Sequence, residues 1–177
     1  RQGQGDTATG DDVLFVLDEF AVLGHMRQIE DAAGQIASFH VKLWTILQDL
    51  SQLKSLYRER WETFLGNAGA LQFFGNNDLT TLEFIQKRCG KTAVWTKRQS
   101  ADHKGTTSDS SGYETHDLIT AEEAARFFSR SDNMGRQLVI LSGQPPMILQ
   151  RIVYFDDKSP FYKGVFEGRF DDLKRYS

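Results

Sequence analysis

The sequence has a single cysteine, Cys89, among its 177 residues, so no disulfide framework can hold the fold together. Chains this poor in cysteine are typical of reducing compartments. No apolar run approaches the ~18 residues that a membrane-spanning helix needs, and no signal peptide is visible. We therefore expect the chain as given to be soluble, with Cys89 as a small buried residue of a helix.

An excess of basic residues is also missing. The formal net charge is −3 and the pI is about 5.8, whereas a self-sufficient DNA-binding domain usually carries a basic patch. Any contact with nucleic acid must then be local or shared between subunits. We interpret Lys97, Arg98 and Lys104 as solvated charges, because basic residues bind nucleic acid only when they cluster.

Neither a metal cluster nor a phosphate loop can be recognised. The four histidines, His25, His40, His103 and His116, have no metal-ligand spacing with one another or with Cys89. Gly3-Gln4-Gly5 lacks the strand-turn-helix context of a phosphate loop, and no GxxxxGK[ST] motif occurs. The sequence therefore predicts no metal site held by protein side chains alone.

What the sequence does contain is an apolar run, residues 13–17, that ends in two adjacent carboxylates, Asp18 and Glu19. This composition suits a strand buried on both faces of a parallel sheet, with the acids at its carboxyl end, where such sheets bind ligands. It is the Walker B pattern of P-loop nucleotidases, in which the Asp holds the nucleotide's Mg²⁺ and the Glu polarises the attacking water. The alternative is a core strand that ends in two solvated acids.

Strands and helices alternate over the first half of the chain. The apolar spacing predicts a helix over 23–39, a strand over 41–47, a helix over 53–65, a strand over 71–75 and a helix over 78–89. This order predicts an α/β fold: a RecA-like P-loop NTPase sheet, mostly parallel, with helices on both faces. A missing phosphate loop makes it a partial domain that lacks the Walker A half.

The second half of the chain has a different pattern. A strand is predicted over 92–96, and the polar residues 97–115 indicate a mobile loop or an extended hairpin. Thr120 and Glu123 match a capping box that begins a helix. Segments 137–141 and 147–154 flank a turn and predict two C-terminal antiparallel strands.

Gln48 follows the second predicted strand. A polar residue at that position points into the same crevice as Asp18 and Glu19, and an amide can hydrogen-bond both a γ-phosphate and the attacking water. This is the sensor position of RecA-like motors. Asp18 is therefore the candidate Mg²⁺ residue, and Glu19 and Gln48 are the candidate catalytic residues.

The strings that surround these residues resemble the type IV secretion coupling proteins of the TraG/TraD group. The resemblance runs from Val13 to about Tyr154 and is carried by residues 46–53, Tyr57, Trp61, 64–69, 75–78, 90–92 and 118–123. It implies a RecA-like ATPase domain with ATP and Mg²⁺ as cofactors, and it assigns Asp18, Glu19 and Gln48 the roles given above. Many members have Pro at the positions of Ala21 and Ala121.

The resemblance further implies a hexameric parent on the cytoplasmic face of the bacterial inner membrane, held by an N-terminal anchor that is absent here. Such a parent would pump single-stranded DNA with its relaxosome proteins, or protein substrates, into a type IV secretion channel. Some members carry an arginine finger near the position of Ala37, whereas the only arginine of this chain between the two strands is Arg27.

We expect a flexible segment over 1–12, the C-terminal half of the ATPase domain over 13–157 and a tail over 158–177. Alone, this fragment should be inactive because Walker A is absent. Two alternatives stay open: a docking module that binds secretion components or substrates without hydrolysis, and a DNA pump of the FtsK/HerA kind.

Overall fold

The computed structural model describes residues 13–32, 40–101 and 107–152. The strands are β1 Val13–Leu17, β2 Val41–Thr45, β3 Ala70–Phe73, β4 Lys91–Ala101, β5 Thr107–Asp117, β6 Arg136–Leu141 and β7 Met147–Gln150. The helices are α1 Arg27–Ala32, α2 Leu50–Tyr57, α3 Trp61–Gly66, α4 Leu79–Cys89 and α5 Ala121–Phe127. The predicted segments 1–12 and 158–177, and the positions of Ala37, His103 and Lys104, lie outside the described residues.

Strands β1 and β2 pair in parallel, with Leu17 opposite Thr45. This confirms the predicted direction of the two strands that precede the candidate site residues. The expectation that β1 is buried on both faces is wrong for the chain as described, because Val13, Leu14, Phe15 and Val16 are each about half exposed. Within the described part, β2 is the only strand that pairs with β1, so the other edge of β1 is uncovered.

The expected mostly parallel sheet is not what the described strands form. Strand β3 pairs antiparallel with β6, and β6 pairs antiparallel with β7, in a separate three-stranded sheet. An apolar strand pattern is the same for either strand direction, so it could not show that β3 would pair antiparallel with residues that lie 65 to 71 positions later in the chain. The predicted antiparallel C-terminal pair is confirmed.

Two predicted helices are interrupted by residues with positive φ. The helix expected over 23–39 begins only at Arg27, because a 3-10 turn, Phe20–Leu23, ends at Gly24 with a φ of 70°. Residues 33–39 lie outside the described part. The helix expected over 53–65 is two helices, α2 and α3, separated at Arg58, whose φ is 49°.

The predicted bounds of α4 and the predicted start of α5 are confirmed. Asp78 caps α4 by accepting a hydrogen bond from the Thr81 N–H, and Gly90 follows the helix with positive φ. Thr120 and Glu123 form the reciprocal capping box of α5. The polar segment after 96 belongs to an extended hairpin, in which β4 and β5 pair over their whole length.

The core lies between the three-stranded β3–β6–β7 sheet and the helices α2, α4 and α5. Its buried members include Phe20, Leu53, Leu82, Ile85, Phe128 and Leu138. None of the helices among the described residues has the length and apolar character needed to cross a membrane. The core thus fixes α2 and α4, and both helices begin near the carboxyl end of the β1–β2 pair.

Candidate functional site

Asp18 and Glu19 lie at the carboxyl end of β1, and both are exposed. The Asp18 carboxylate accepts a 3.0 Å hydrogen bond from the Glu19 N–H. The backbone pairing continues past the strand ends, because the Ile46 N–H donates to the Leu17 carbonyl and the Phe20 N–H donates to the Ile46 carbonyl, each at 2.9 Å. The backbone of Asp18 and Glu19 therefore runs beside Ile46, which lies on the chain segment that leads to Gln48.

Glu19 adopts a left-handed backbone conformation, with φ 48° and ψ 46°. A residue with a Cβ pays roughly 1–2 kcal/mol for this region, so its neighbours must hold it there. The next residue, Phe20, is fully buried. Strain of this kind concentrates at functional sites, and it turns the chain sharply at the point where the two carboxylates meet solvent.

Gln48 lies three residues after the end of β2, and its side chain is exposed. Its carbonyl oxygen accepts a 3.0 Å hydrogen bond from the Asn76 side-chain amide. Its side-chain oxygen is 3.5 Å from the Gln52 amide nitrogen, a long contact. Because β1 and β2 are parallel neighbours, Asp18, Glu19 and Gln48 all follow the same end of the pair.

This edge offers two carboxylates and one amide to solvent. Mg²⁺ is usually bound in proteins through one or two carboxylates together with waters and substrate phosphates. A glutamine amide can donate to a phosphate oxygen and accept from a water. In the described ranges, no group of three or more His, Cys, Asp or Glu side chains is arranged to hold a metal ion. A cation here would therefore be bound jointly by these side chains, by waters and by the oxygens of a bound phosphate group.

The structure adds two residues that the sequence patterns did not identify. Asn76 bonds the Gln48 carbonyl, and the buried Thr81 accepts a 2.9 Å hydrogen bond from the Leu50 N–H. The sequence signal is partial, because Asp78 is a residue type that favours the start of a helix and stands where the helix predicted over 78–89 begins. Only the capping role of Asp78 could be predicted from it, since the contacts of Asn76 and Thr81 span 28 and 31 residues.

The structure also shows the surroundings of residues that the sequence analysis considered but did not assign to the site. Arg27 lies on α1 with its side-chain nitrogen 3.9 Å from Asp31. His25 contacts Glu30 at 2.8 Å, and Arg98 pairs with Glu114 across the β4–β5 hairpin. Cys89 is partly buried at the end of α4, and burial raises the pKa of its thiol.

Comparison with known proteins gives a consistent result. The family model described as type IV secretory system conjugative DNA transfer matches residues 1–174. The conjugal transfer protein TraG of Rhizobium radiobacter is 34% identical over 164 residues, which are 89% of this chain and 24% of TraG. Protein VirD4 of Rhizobium rhizogenes is 30% identical over 154 residues, 83% of this chain and 22% of VirD4. The chain thus spans about a quarter of the length of these relatives.

Two solved structures share the fold. The unbound coupling protein TrwBΔN70 aligns with a TM-score of 0.60 at 19% identity, over 83% of this chain and 33% of that chain. TrwB in complex with ADP and Mg²⁺ aligns with a TM-score of 0.58 at 17% identity, over 83% and 32%. The α/β fold predicted from the strand and helix order is therefore confirmed, with mixed rather than mostly parallel pairing.

Proposed function

This chain belongs to the type IV secretory system conjugative DNA transfer family, and on that basis we propose that it forms part of an ATP-driven coupling protein. The whole protein recruits relaxase-bound single-stranded DNA, or protein substrates, and pumps them into a type IV secretion channel. The observation that carries the proposal is the shared position of Asp18, Glu19 and Gln48 at the carboxyl end of two parallel strands.

Each side chain has a distinct role in this proposal. The Asp18 carboxylate would hold the nucleotide's Mg²⁺ through water, and the Glu19 carboxylate would polarise the attacking water. The Gln48 amide bonds a γ-phosphate oxygen and orients that water. Bound Mg²⁺-ATP supplies the phosphoryl group and the neutralising cation. The structure of TrwB with ADP and Mg²⁺ supports this choice of cofactors.

The fold supports a RecA-like motor domain that works as a subunit of a ring. We propose a hexamer on the cytoplasmic face of the bacterial inner membrane, held there by an N-terminal anchor in the whole protein. Its partners are relaxosome proteins, single-stranded DNA and components of the secretion channel. The family description, conjugative DNA transfer by the type IV secretory system, and the name of the conjugal transfer protein TraG support the DNA and the secretion channel as partners.

The proposal is tested by Glu19→Gln in the full-length protein that carries this chain. The change is nearly isosteric, so nucleotide binding should stay nearly unchanged while steady-state ATP hydrolysis stops. Glu62→Gln is the matched control, because Glu62 is exposed on α3 and lies outside the site. ATP binding and phosphate release are measured for both variants.

A Glu19→Gln protein that keeps more than about a tenth of the wild-type kcat, a barrier change below ~1.4 kcal/mol, would contradict the role of Glu19. A wild-type protein that binds secretion components and substrate but hydrolyses no ATP would favour the docking module. Activity that depends on double-stranded DNA without any secretion partner would favour a pump of the FtsK/HerA kind.

A further inference from the structure

The loop that carries Gln48 is held in place by the segment between β3 and α4. The first contact is the 3.0 Å hydrogen bond that the Asn76 side-chain amide donates to the Gln48 carbonyl. Gln48 lies beyond the end of β2, so this carbonyl has no strand partner of its own. Asn76 supplies the partner from 28 residues away, and a displaced Asn76 would leave the carbonyl without it.

The second contact is buried. The Leu50 N–H donates a 2.9 Å hydrogen bond to the Thr81 hydroxyl, and Thr81 is only 1% exposed. Leu50 is the first residue of α2, so its N–H is one of the helix's groups without an intrahelical partner. The Asp49 cap does not serve it, because an N-cap side chain bonds the N–H of the second or third helix residue, here that of Gln52. Thr81 therefore fixes the start of α2 against α4.

Thr81 is itself oriented by its own helix. Its N–H donates a 2.8 Å hydrogen bond to the Asp78 carboxylate that caps α4. The two contacts thus flank Gln48, with Asn76 bonding its carbonyl and Thr81 bonding the amide two residues later. Both bonds arise from residues 76–81, a segment that includes no candidate catalytic residue.

The side chain of Gln48 is held much less firmly than its backbone. It is exposed, and its amide oxygen lies 3.5 Å from the Gln52 amide nitrogen, at the limit for a hydrogen bond. A fixed backbone with a loosely held amide suits a group that must meet a ligand at a defined point. The side chain can rotate toward the ligand, while the backbone of Gln48 keeps its position.

We propose that Asn76 and Thr81 are positioning residues that set the placement of Gln48 relative to the nucleotide's γ-phosphate and the attacking water. The inference rests on the proposed function, and it assigns to residues 76–81 a part in hydrolysis that acts through Gln48. Misplacing a reacting group by ~1 Å can cost ~100-fold in rate, so the loss of either contact should lower kcat rather than nucleotide affinity.

The first test is Asn76→Asp in the full-length protein. Aspartate keeps the size of asparagine, but it replaces the amide donor with a carboxylate that faces the Gln48 carbonyl. We expect kcat for ATP hydrolysis to fall by roughly 10-fold or more while KM stays within about twofold. Asn77→Asp adds the same charge one residue away at an exposed position and should leave both constants unchanged.

The Thr81 contact has its own matched pair. Thr81→Val removes the hydroxyl that accepts from the Leu50 N–H and should lower kcat. Thr81→Ser keeps a hydroxyl at this position and should keep kcat close to the wild-type value. Melting temperatures are recorded for all variants. If Asn76→Asp does not fold, Asn76→Ala is used instead, both as the single variant and in the double-mutant cycle, because it removes the amide donor without adding a charge.

A double-mutant cycle with Gln48→Ala decides whether Asn76 acts through Gln48. If it does, Asn76→Asp should have no further effect on kcat once the Gln48 side chain is absent. If the fold-losses of kcat in the two single variants multiply in the double variant, the inference is overturned. It is also overturned if Gln48→Ala lowers kcat while Asn76→Asp and Thr81→Val leave it unchanged. If Gln48→Ala leaves kcat unchanged, the proposed role of Gln48 fails, and the positioning role fails with it.

Discussion

Phe20 stacks on Tyr57 with ring centroids 6.0 Å apart and ring planes 6° from parallel. Phe64 completes the cluster at 4.5 Å from Tyr57, and the Tyr57 hydroxyl accepts a hydrogen bond from the Met26 N–H. Phe20 directly follows Glu19 and is fully buried. The aromatic cluster therefore ties the segment after the two carboxylates to α2 and α3, and it holds the strained backbone of Glu19 in place.

The stability of the chain should depend strongly on Phe20. Phe20→Ala leaves a cavity in the aromatic cluster and should lower the free energy of unfolding by ~3–5 kcal/mol. Val22→Ala is the control, since Val22 is 78% exposed two residues away and should change it by less than ~0.5 kcal/mol. Urea denaturation measures both. Equal losses in the two variants would contradict the anchoring role.

Acid should weaken the fold through Asp132. The hydrogen bonds from the Arg136 side chain and backbone lower the pKa of Asp132 from 3.8 to about 2. The carboxylate is ionised in the folded chain where the unfolded chain would bind a proton, so its stabilisation is complete above pH ~4 and disappears as the pH falls toward ~2. Asp132→Asn should flatten this part of the curve of urea midpoint against pH. A variant as acid-sensitive as wild type would contradict the assignment.

The elements that the sequence predicted are those set by local signals. Asp78 and Gly90 bound α4 because a cap and a positive-φ glycine act within one turn of the helix. The direction of β3 and the exposure of β1 could not be predicted, because both depend on which strands lie beside them. The break at Arg58 was missed because its positive φ is unusual for arginine and has no local marker.

The same distinction applies to the site. Asp18, Glu19 and Gln48 could be proposed from sequence because each comes within three residues of the end of an apolar strand, and the parallel β1–β2 pairing brings those strand ends together. Asn76 and Thr81 could not, since their hydrogen bonds join segments 28 and 31 residues apart. Their roles become visible only when α2 and α4 are packed side by side.

The exposed apolar residues of β1 should make this chain associate. Residues from Val13 to Val16 are each at least half exposed, and one edge of β1 has no partner strand among the described residues. Such an edge recruits another chain. We expect a dimer or larger assembly in sedimentation at micromolar concentration. Leu14→Lys should weaken it, whereas Val22→Lys, outside the strand, should not. An ideal monomer at all concentrations would contradict this expectation.

The 177-residue chain by itself should not hydrolyse ATP. It contains no GxxxxGK[ST] loop, so the β- and γ-phosphates would lack the backbone amides and lysine that hold them, and positioning is most of the catalysis in phosphoryl transfer. Phosphate release from the purified chain is the measurement. Steady release that Glu19→Gln abolishes would show that the chain is active alone.

The central claim is that the carboxyl end of the β1–β2 pair is a nucleotide site. Its most direct test is a structure of the full-length protein with Mg²⁺ and a non-hydrolysable ATP analogue. We expect a water on Mg²⁺ to donate to Asp18, and the Gln48 amide to lie ~3 Å from a γ-phosphate oxygen. A nucleotide bound with its phosphates away from Asp18, Glu19 and Gln48 would contradict the account.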